Sequence, residues 1–490
     1  MNPFVILAAG MIVVMGSILA FRMHAFLALI LGAFVVGALT APANIAAYAR
    51  NEAENDARKQ KLAGKTIDIE ARSADIAKKL EKQSVAERIA EGFGKTCTGI
   101  GLLIALASIV GKCALDSGSA DRIVRTSLRI LGEARAPLAF LGSGFLLGIP
   151  VFFDTVFFLM LPLGKAMALR TGRNYLLYVL AIGAGATMTH SLVPPTPGPL
   201  VAAEILGVNL GKMIIGGCLV GSVTAAAGYA FAKWANARWQ VPLRDTAGVS
   251  LDELKKLSER DASELPPIWL ALAPIVLPVL LITGAEILKE LPTLGVPDGF
   301  RSTILVLGEK NVSMLIAASI ALATLAWKRK MTKKELSAAV ETSLLEAGTV
   351  ILITAAGGAF GATLQQTGIG EGLKLSTGAS LWMIPLAFGV TSLIRTAQGS
   401  ATVAMITAAG IFASTSNAEL LGFDPVYLAL AVGCGSKPIA WMNDSGFWVV
   451  CRMSGMTEGE ALRFWSPLTA IMGVTGLMTT LLAAWLWPGV

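Results

Sequence analysis

The chain has 490 residues, of which 54% are hydrophobic and 15% charged, with a formal net charge of +7 at pH 7 and a mean hydropathy of +0.66. Soluble domains carry roughly 25% charged residues, so the composition excludes an ordinary soluble protein and points to an all-α multi-pass membrane protein. The excess positive charge lies in loops, where the positive-inside bias places it. The bilayer is therefore the expected partner, and nucleic acid is not. The cysteines, Cys97, Cys113, Cys218, Cys434 and Cys451, sit in or beside apolar runs without paired metal spacing, and read as small buried hydrophobes.

A span needs about 20 apolar residues to cross a core of about 30 Å. The first segment, "NPFVILAAGMIVVMGSILAF", has no basic start and no small-residue cleavage site, so it reads as a retained helix. With 24–43 it makes a first unit, 1–43, of two transmembrane helices. Residues 44–97 are rich in Ala, Glu and Lys with both signs mixed, which predicts helix outside the membrane. The unit 98–235 holds spans at 98–115, 174–208 and 210–233, and a long apolar block at 136–164. The linking unit 236–347 starts with a polar loop in which "LDELKKLSERDASEL" predicts a short surface helix, then spans 267–288 and 312–327. The last unit, 348–490, holds 348–364, a second long block 379–415, 425–450 and 466–487. The expected total is about 10–12 spans.

The densest basic loop, "KRKMTKK" at 328–334, is assigned to the cytoplasm. Counting back, the loops 234–266, 116–135 and that of Lys165, Arg170 and Arg173 fall on the same side, provided that 136–164 enters and leaves there as a re-entrant hairpin. The insert 44–97 is then extracytoplasmic, in a chain of the cytoplasmic (inner) membrane.

The two halves echo each other. "GKCALDSG" from Gly111 is answered by "GATLQQTG" from Gly361, "FDTVFFLML" by "GSATVAMIT", and "PPTPG" ending at Gly198 by "MNDSG" ending at Gly446. With the topology above, this predicts two inverted repeats. Each has a re-entrant helical hairpin (136–164, 379–415) and a broken transmembrane helix (190–199, 435–446). Such an architecture belongs to secondary transporters. Broken backbone is tolerated in lipid only where protein buries it or it lines a polar cavity, and helix N-termini suit anions.

Four patches could carry the chemistry. In "TMTHSLVPPTPGP" the prolines 194, 195, 197 and 199 block regular helix, while Thr187, Thr189, His190, Ser191, Thr196, Pro197 and Gly198 offer polar atoms or close backbone approach; the alternative is a surface loop. Asp154 is the lone charge in "IPVFFDTVFFLMLP". An intramembrane carboxylate marks a functional site by default and is a natural proton carrier, unless it caps a turn. Arg395 in "SLIRTAQGSATVAMITAAG" could fork onto a substrate carboxylate or pair with an internal acid, with Gln398, Ser400 and Thr402 beside it. In "AWMNDSGFWVV", Asn443 and Asp444 could hold a proton, cation or hydroxyl, or form a turn at the membrane surface between interfacial tryptophans. No nucleotide loop, H-E-x-x-H or G-x-S-x-G occurs, so neither an enzyme nor a catalytic residue, metal or cofactor is expected.

Together, "HSLVPPTPGP", "RTAQGSATVAMITAAG" and "MNDSGFW" resemble the gluconate permease family of proton symporters, in order and at fitting distances over most of the chain outside 44–97. The resemblance implies proton-driven uptake of gluconate or related sugar acids, D-serine in one branch, and in the wider ion-transporter group a homodimer with an elevator-like transport domain. The chain departs from the family pattern at Thr196, where histidine is usual, at Ala440 and Trp441 before "MND", and at Asp154, where glutamate is common; these changes imply an altered pocket. The expected substrate ligands are Thr189, His190, Ser191, Thr196, Pro197, Gly198, Arg395, Gln398, Ser400, Thr402 and Asn443, with Asp154 or Asp444 taking the coupling proton. Na⁺ coupling, an intramembrane enzyme and a passive channel are the rival readings.

Overall fold

Every regular element among the described residues is a helix, as apolar sequence in lipid demands, because the backbone must close its own hydrogen bonds there. The computed structural model describes residues 2–21, 23–62, 68–244, 265–290, 296–368, 381–413, 415–416, 418–442 and 444–489. The surface helix expected at "LDELKKLSERDASEL" therefore lies almost wholly outside the described residues.

Helices α1 (Pro3–Leu19) and α2 (Ala25–Leu39) pair, and α3 (Pro42–Leu62) folds against α4 (Ile69–Lys82) as a polar hairpin. Helix α5 (Val85–Asp116) starts from a capping box in which Ser84 and Glu87 satisfy each other's backbone N–H. It runs unbroken from polar into apolar sequence, so no structural boundary falls at 97–98. Helix α6 (Ser119–Leu131) leads into α7 (Ala136–Leu147) through a bend of 113°, and α8 (Phe153–Thr171) follows the turn at 148–152. Arg170 Nη2 lies 2.5 Å from Glu133 Oε1, which brings the beginning and the end of the α7–α8 hairpin to the same place. Helices α9 (Tyr175–Leu192) and α10 (Pro197–Ile205) form one interrupted 31-residue stretch. The interruption at 193–196 falls on the prolines, with Pro197 at the first turn of α10 where a missing N–H costs nothing. Helix α11 (Leu210–Arg238) completes the first half.

Helices α12 (Ile268–Glu290), α13 (Asp298–Leu307) and α14 (Lys310–Arg329) join the halves. Helix α15 (Lys333–Gln365) starts from a second capping box, Thr332 with Glu335, and lies along α5. Helices α16 (Met383–Gln398) and α17 (Ala401–Phe412) turn at Gly399, whose φ of +81° favours glycine. After the short α18 (Ala418–Leu421), α19 (Val426–Gly435) and α20 (Ser445–Ser454) flank a second break, and α21 (Glu458–Leu486) ends the fold. Four helix pairs start 248 residues apart: α5 and α15 at Val85 and Lys333, α8 and α17 at Phe153 and Ala401, α10 and α20 at Pro197 and Ser445, α11 and α21 at Leu210 and Glu458.

Seven described helices are long and apolar enough to cross a membrane, or nine if two bent pairs each count as one span. The expected 10–12 counts the second broken segment as a span, and reaches 12 only if the two long blocks are counted as spans and not as re-entrant hairpins. Of their pieces, α7 and α17 have 12 residues and α19 and α20 have 10, which at a rise of 1.5 Å per residue is roughly 15–18 Å against a core of about 30 Å; α16 has 16 residues and α8 has 19.

The basic loops gather at one end. Arg329 Nε donates to Asp116 O at 2.6 Å, Tyr175 OH donates to Ser454 O at 2.6 Å, and Arg244 pairs with Glu460 at 2.6 Å. The other end is tied by Arg88 donating to Gln366 Oε1 at 2.9 Å, Asn44 to Thr367 O at 2.6 Å and Lys212 to Asp424 at 2.9 Å. The interior has two apolar clusters, a smaller one along α5, α14 and α15 and a larger one through the rest.

Candidate functional site

The tips of both hairpins, the last turns of α9 and the second break face one another across a polar cavity of about 180 Å³. A single water needs roughly 10–15 Å³, so there is room for a small molecule. The first hairpin contributes Phe152, Phe153 and Asp154, and α9 contributes Thr187 and His190. From the second hairpin come Arg395, Gly399, Ser400 and Thr402; from the second break, Lys437, Ala440 and Asp444; from α21, Trp465 and Thr469. Another pocket, lined by Leu103, Pro150, Pro194, Pro278 and Met314 among others, is apolar and offers no group for recognition.

Local sequence explains the placement. Asp154 falls in the first turn of α8, whose N-terminus favours negative charge. Ser400 caps α17, its Oγ accepting from Val403 N at 3.3 Å. Asp444 caps α20, its Oδ1 accepting from Gly446 N at 2.8 Å. Arg395 lies in the last turn of α16, where a cation suits the helix C-terminus.

Four ionisable side chains of opposite sign thus line one cavity. Arg395 is only 4% exposed. Its Nε donates to Ser436 O at 3.0 Å and its Nη2 pairs with Asp444 Oδ2, while Nη1 has no partner among the described residues. Lys437, 5% exposed, makes a single hydrogen bond among the described residues, to Thr187 Oγ1 at 3.4 Å. Asp154 is exposed to the cavity and makes no hydrogen bond or ion pair with the described residues. The His190 ring lies 5.7 Å from Phe152 and its buried Nδ1 has no partner among the described residues. Trp465 stacks on Phe153 at 5.4 Å, and its buried Nε1 has no partner among the described residues either. A buried polar group left unmatched costs roughly 1–3 kcal/mol. Three such nitrogens on the residues of one cavity make it a place where hydrogen-bonding atoms brought in by a ligand are rewarded.

Of the residues expected from sequence, Asp154, His190, Arg395, Ser400, Thr402 and Asp444 line this cavity together. The alternative expected for Arg395, pairing with an internal acid, is realised through Asp444, although one Nη is left over. The first break stands behind the cavity wall. Thr189 Oγ1 donates within its own helix to Gly185 O at 3.0 Å, and Ser191 is buried. Thr196 Oγ1 donates to Val193 O at 2.8 Å, and Thr196 and Pro197 border a separate small cavity beside Ser108. Gly198 fits against Met405, whose Sδ would lie 2.8 Å from an added Cβ. Asn443 and the Gln398 side chain lie outside the described residues. The expected ligand set omits Lys437, Thr187, Trp465 and Thr469. A signal for Lys437 was present, since it is the only cation between 425 and 451, and the rule that singled out Asp154 applies to it equally.

The model of the GntP family permease matches residues 68–486, beginning inside the polar insert. A gluconate permease of Pseudomonas aeruginosa is 34% identical over 406 residues, covering 82% of this chain and 88% of that protein. The Gnt-II system L-idonate transporter of Escherichia coli is 28% identical and covers 98% of both chains. The high-affinity gluconate transporter of the same organism is also 28% identical, over 98% of this chain and 99% of that one. Among solved structures, the YdaH transporter of Alcanivorax borkumensis superposes with a TM-score of 0.58 at 15% identity, over 81% of this chain and 88% of that one. MtrF of Neisseria gonorrhoeae, described within a class of antimetabolite efflux pumps, gives 0.57 at 18% identity, over 81% and 84%. At such low identity these two structures speak for the fold alone.

Proposed function

The chain belongs to the GntP family of permeases, and from that premise we propose that it carries a small hydroxylated carboxylate, gluconate or a related sugar acid, through the inner membrane by proton symport. The observation that carries this reading is the cavity itself, with two cations, two carboxylates and unmatched nitrogens on residues that line it. Arg395 is neutralised by Asp444, so the remaining charges are those of Lys437 and Asp154. An ionised Asp154 and a substrate carboxylate would compete for the same positive charge. A protonated Asp154 removes the competition, so proton and anion are carried together. Asp444 is already engaged by Arg395 and by Gly446 N, which leaves Asp154 as the proton carrier.

Ser400, Thr402, Thr187 and His190 face the cavity and serve the substrate's hydroxyls. Gln398 and Asn443 adjoin lining residues in the chain and belong to the same proposed set. Thr189, Ser191, Thr196, Pro197 and Gly198 shape the break behind them. The matched helix starts support an inverted repeat: α5 runs toward the basic end while α15 runs away from it, and α11 and α21 are opposed in the same way. Two re-entrant hairpins then reach the cavity from opposite sides, an arrangement suited to an elevator-like movement in a homodimer. The basic end is cytoplasmic by the positive-inside bias, with α3 and α4 outside.

Reconstituted protein tests the coupling. Asp154→Asn should abolish uptake driven by a pH gradient while substrate exchange persists. Undiminished pH-driven uptake in that variant removes Asp154 from the mechanism. Wild-type uptake that requires Na⁺ and ignores a pH gradient overturns proton coupling.

A further inference from the structure

We propose that Lys437 is the residue that grips the substrate carboxylate, and that Arg395 is a positioning residue that holds the second break in shape; this rests on the reading of the cavity as a carboxylate site. Lys437 lies in the break between α19 and α20, almost wholly buried. An ammonium has three hydrogens to donate. The single bond it makes, 3.4 Å to the Thr187 hydroxyl, is longer than the usual 2.7–3.2 Å (about) for such donors. No carboxylate of the described residues lies within ion-pair distance of it. Burying a charge is expensive unless it is paired, and none of the described carboxylates makes a direct ion pair with it, Asp154 facing it only across the cavity.

Arg395 stands in the opposite position. Its charge is met by Asp444, and its Nε is committed to the carbonyl of Ser436, the residue before Lys437. Through those two bonds it fixes both ends of the break from which Lys437 projects. The backbone beside Lys437 is also constrained: Ile439, a β-branched residue, has φ +59°, a region such residues rarely occupy and one that recurs at ligand clamps. An incoming carboxylate therefore gains most at Lys437, whose positive charge has no direct ion-pair partner among the described residues and loses its counter-charge across the cavity when Asp154 is protonated. The remaining Arg395 Nη1 can take at most a supporting hydrogen bond.

The test uses the purified full-length protein, with gluconate, L-idonate and glycerate as probes and the uncharged polyol glucitol as control, read by thermal shift. Wild type should be stabilised by at least one of the acids and not by glucitol. Lys437→Gln should weaken that binding by about tenfold to a hundredfold, as expected for loss of a charged hydrogen bond. Its melting temperature without ligand should be equal or higher, because an unpaired buried charge has gone; a merely structural lysine would lower it. Binding within about threefold of wild type overturns the assignment and leaves the carboxylate site standing. Failure of wild type to bind any of the acids overturns the site and the assignment together. Should Lys437→Gln not fold, reductive methylation of wild type decides by mass spectrometry: the bound acid, and not glucitol, should protect Lys437, and equal modification in both overturns the proposal.

Discussion

Arg395 and Asp444 are 49 positions apart in sequence and meet almost entirely out of water. Breaking a buried pair by removing one partner costs about 3–5 kcal/mol, because the other charge is left uncompensated. Arg395→Met and Asp444→Leu should each lower the unfolding free energy by about that amount, and the double variant by clearly less than their sum. Denaturation of the four proteins in detergent measures the coupling, and strictly additive losses would mean that the two groups act independently. Lone charges in apolar sequence were legible, which is why Asp154, Arg395 and Asp444 could be named without a structure. What could not be read was the pairing, since Arg395 with Asp444 and Lys437 with Thr187 are contacts between distant segments. Nor does a hydroxyl's presence tell whether it is available: Thr189 and Thr196 spend theirs on carbonyls of their own segment.

The first hairpin is held in place by backbones that almost touch. A Cβ on Gly185 of α9 would collide with Leu141 O, and one on Gly144 of α7 would lie 3.0 Å from Ile182 O. Small residues that let helices approach in this way are typical of membrane interfaces. Gly185→Ala should therefore destabilise by about 1–3 kcal/mol through overpacking. Gly142→Ala, in the same helix pair but with nothing within 4 Å of the added carbon, should be neutral or stabilising because alanine favours helix. Equal melting temperatures for the two variants would refute the close approach. At this scale the breaks were the most legible features, because proline and glycine punctuate sequence for steric reasons that hold in any fold. The start of α5 was not, since a helix passes from water-facing to lipid-facing residues without any change of backbone geometry. Span number is hard to read for a related reason: apolarity marks burial, and a half-length helix buried in protein is as apolar as one that crosses the bilayer.

Across the whole molecule, the basic loops at one end and the α3–α4 hairpin at the other give the orientation a direct test. Lys78 and Arg173 are both exposed, at opposite ends. With Cys97 and Cys218 changed to Ser, an impermeant maleimide applied to right-side-out vesicles should label Lys78→Cys and spare Arg173→Cys; the reverse pattern would turn the protein over. The equal spacing of the four helix pairs bears on where such a chain can change its length. Between 85 and 210, and again between 333 and 458, the halves keep step at those four helix starts, while α7 and α16 start 247 residues apart and α9 and α19 start 251 apart. An insertion within either stretch puts a hairpin tip or a break out of phase with its counterpart, and the two sides of the cavity no longer meet at one depth. Growth is free of that penalty ahead of Val85 and between Arg238 and Lys333, which is where the polar hairpin and the long polar loop are found. Tolerance of insertions and deletions is thereby pushed to the margin of the molecule and to the joint between its halves.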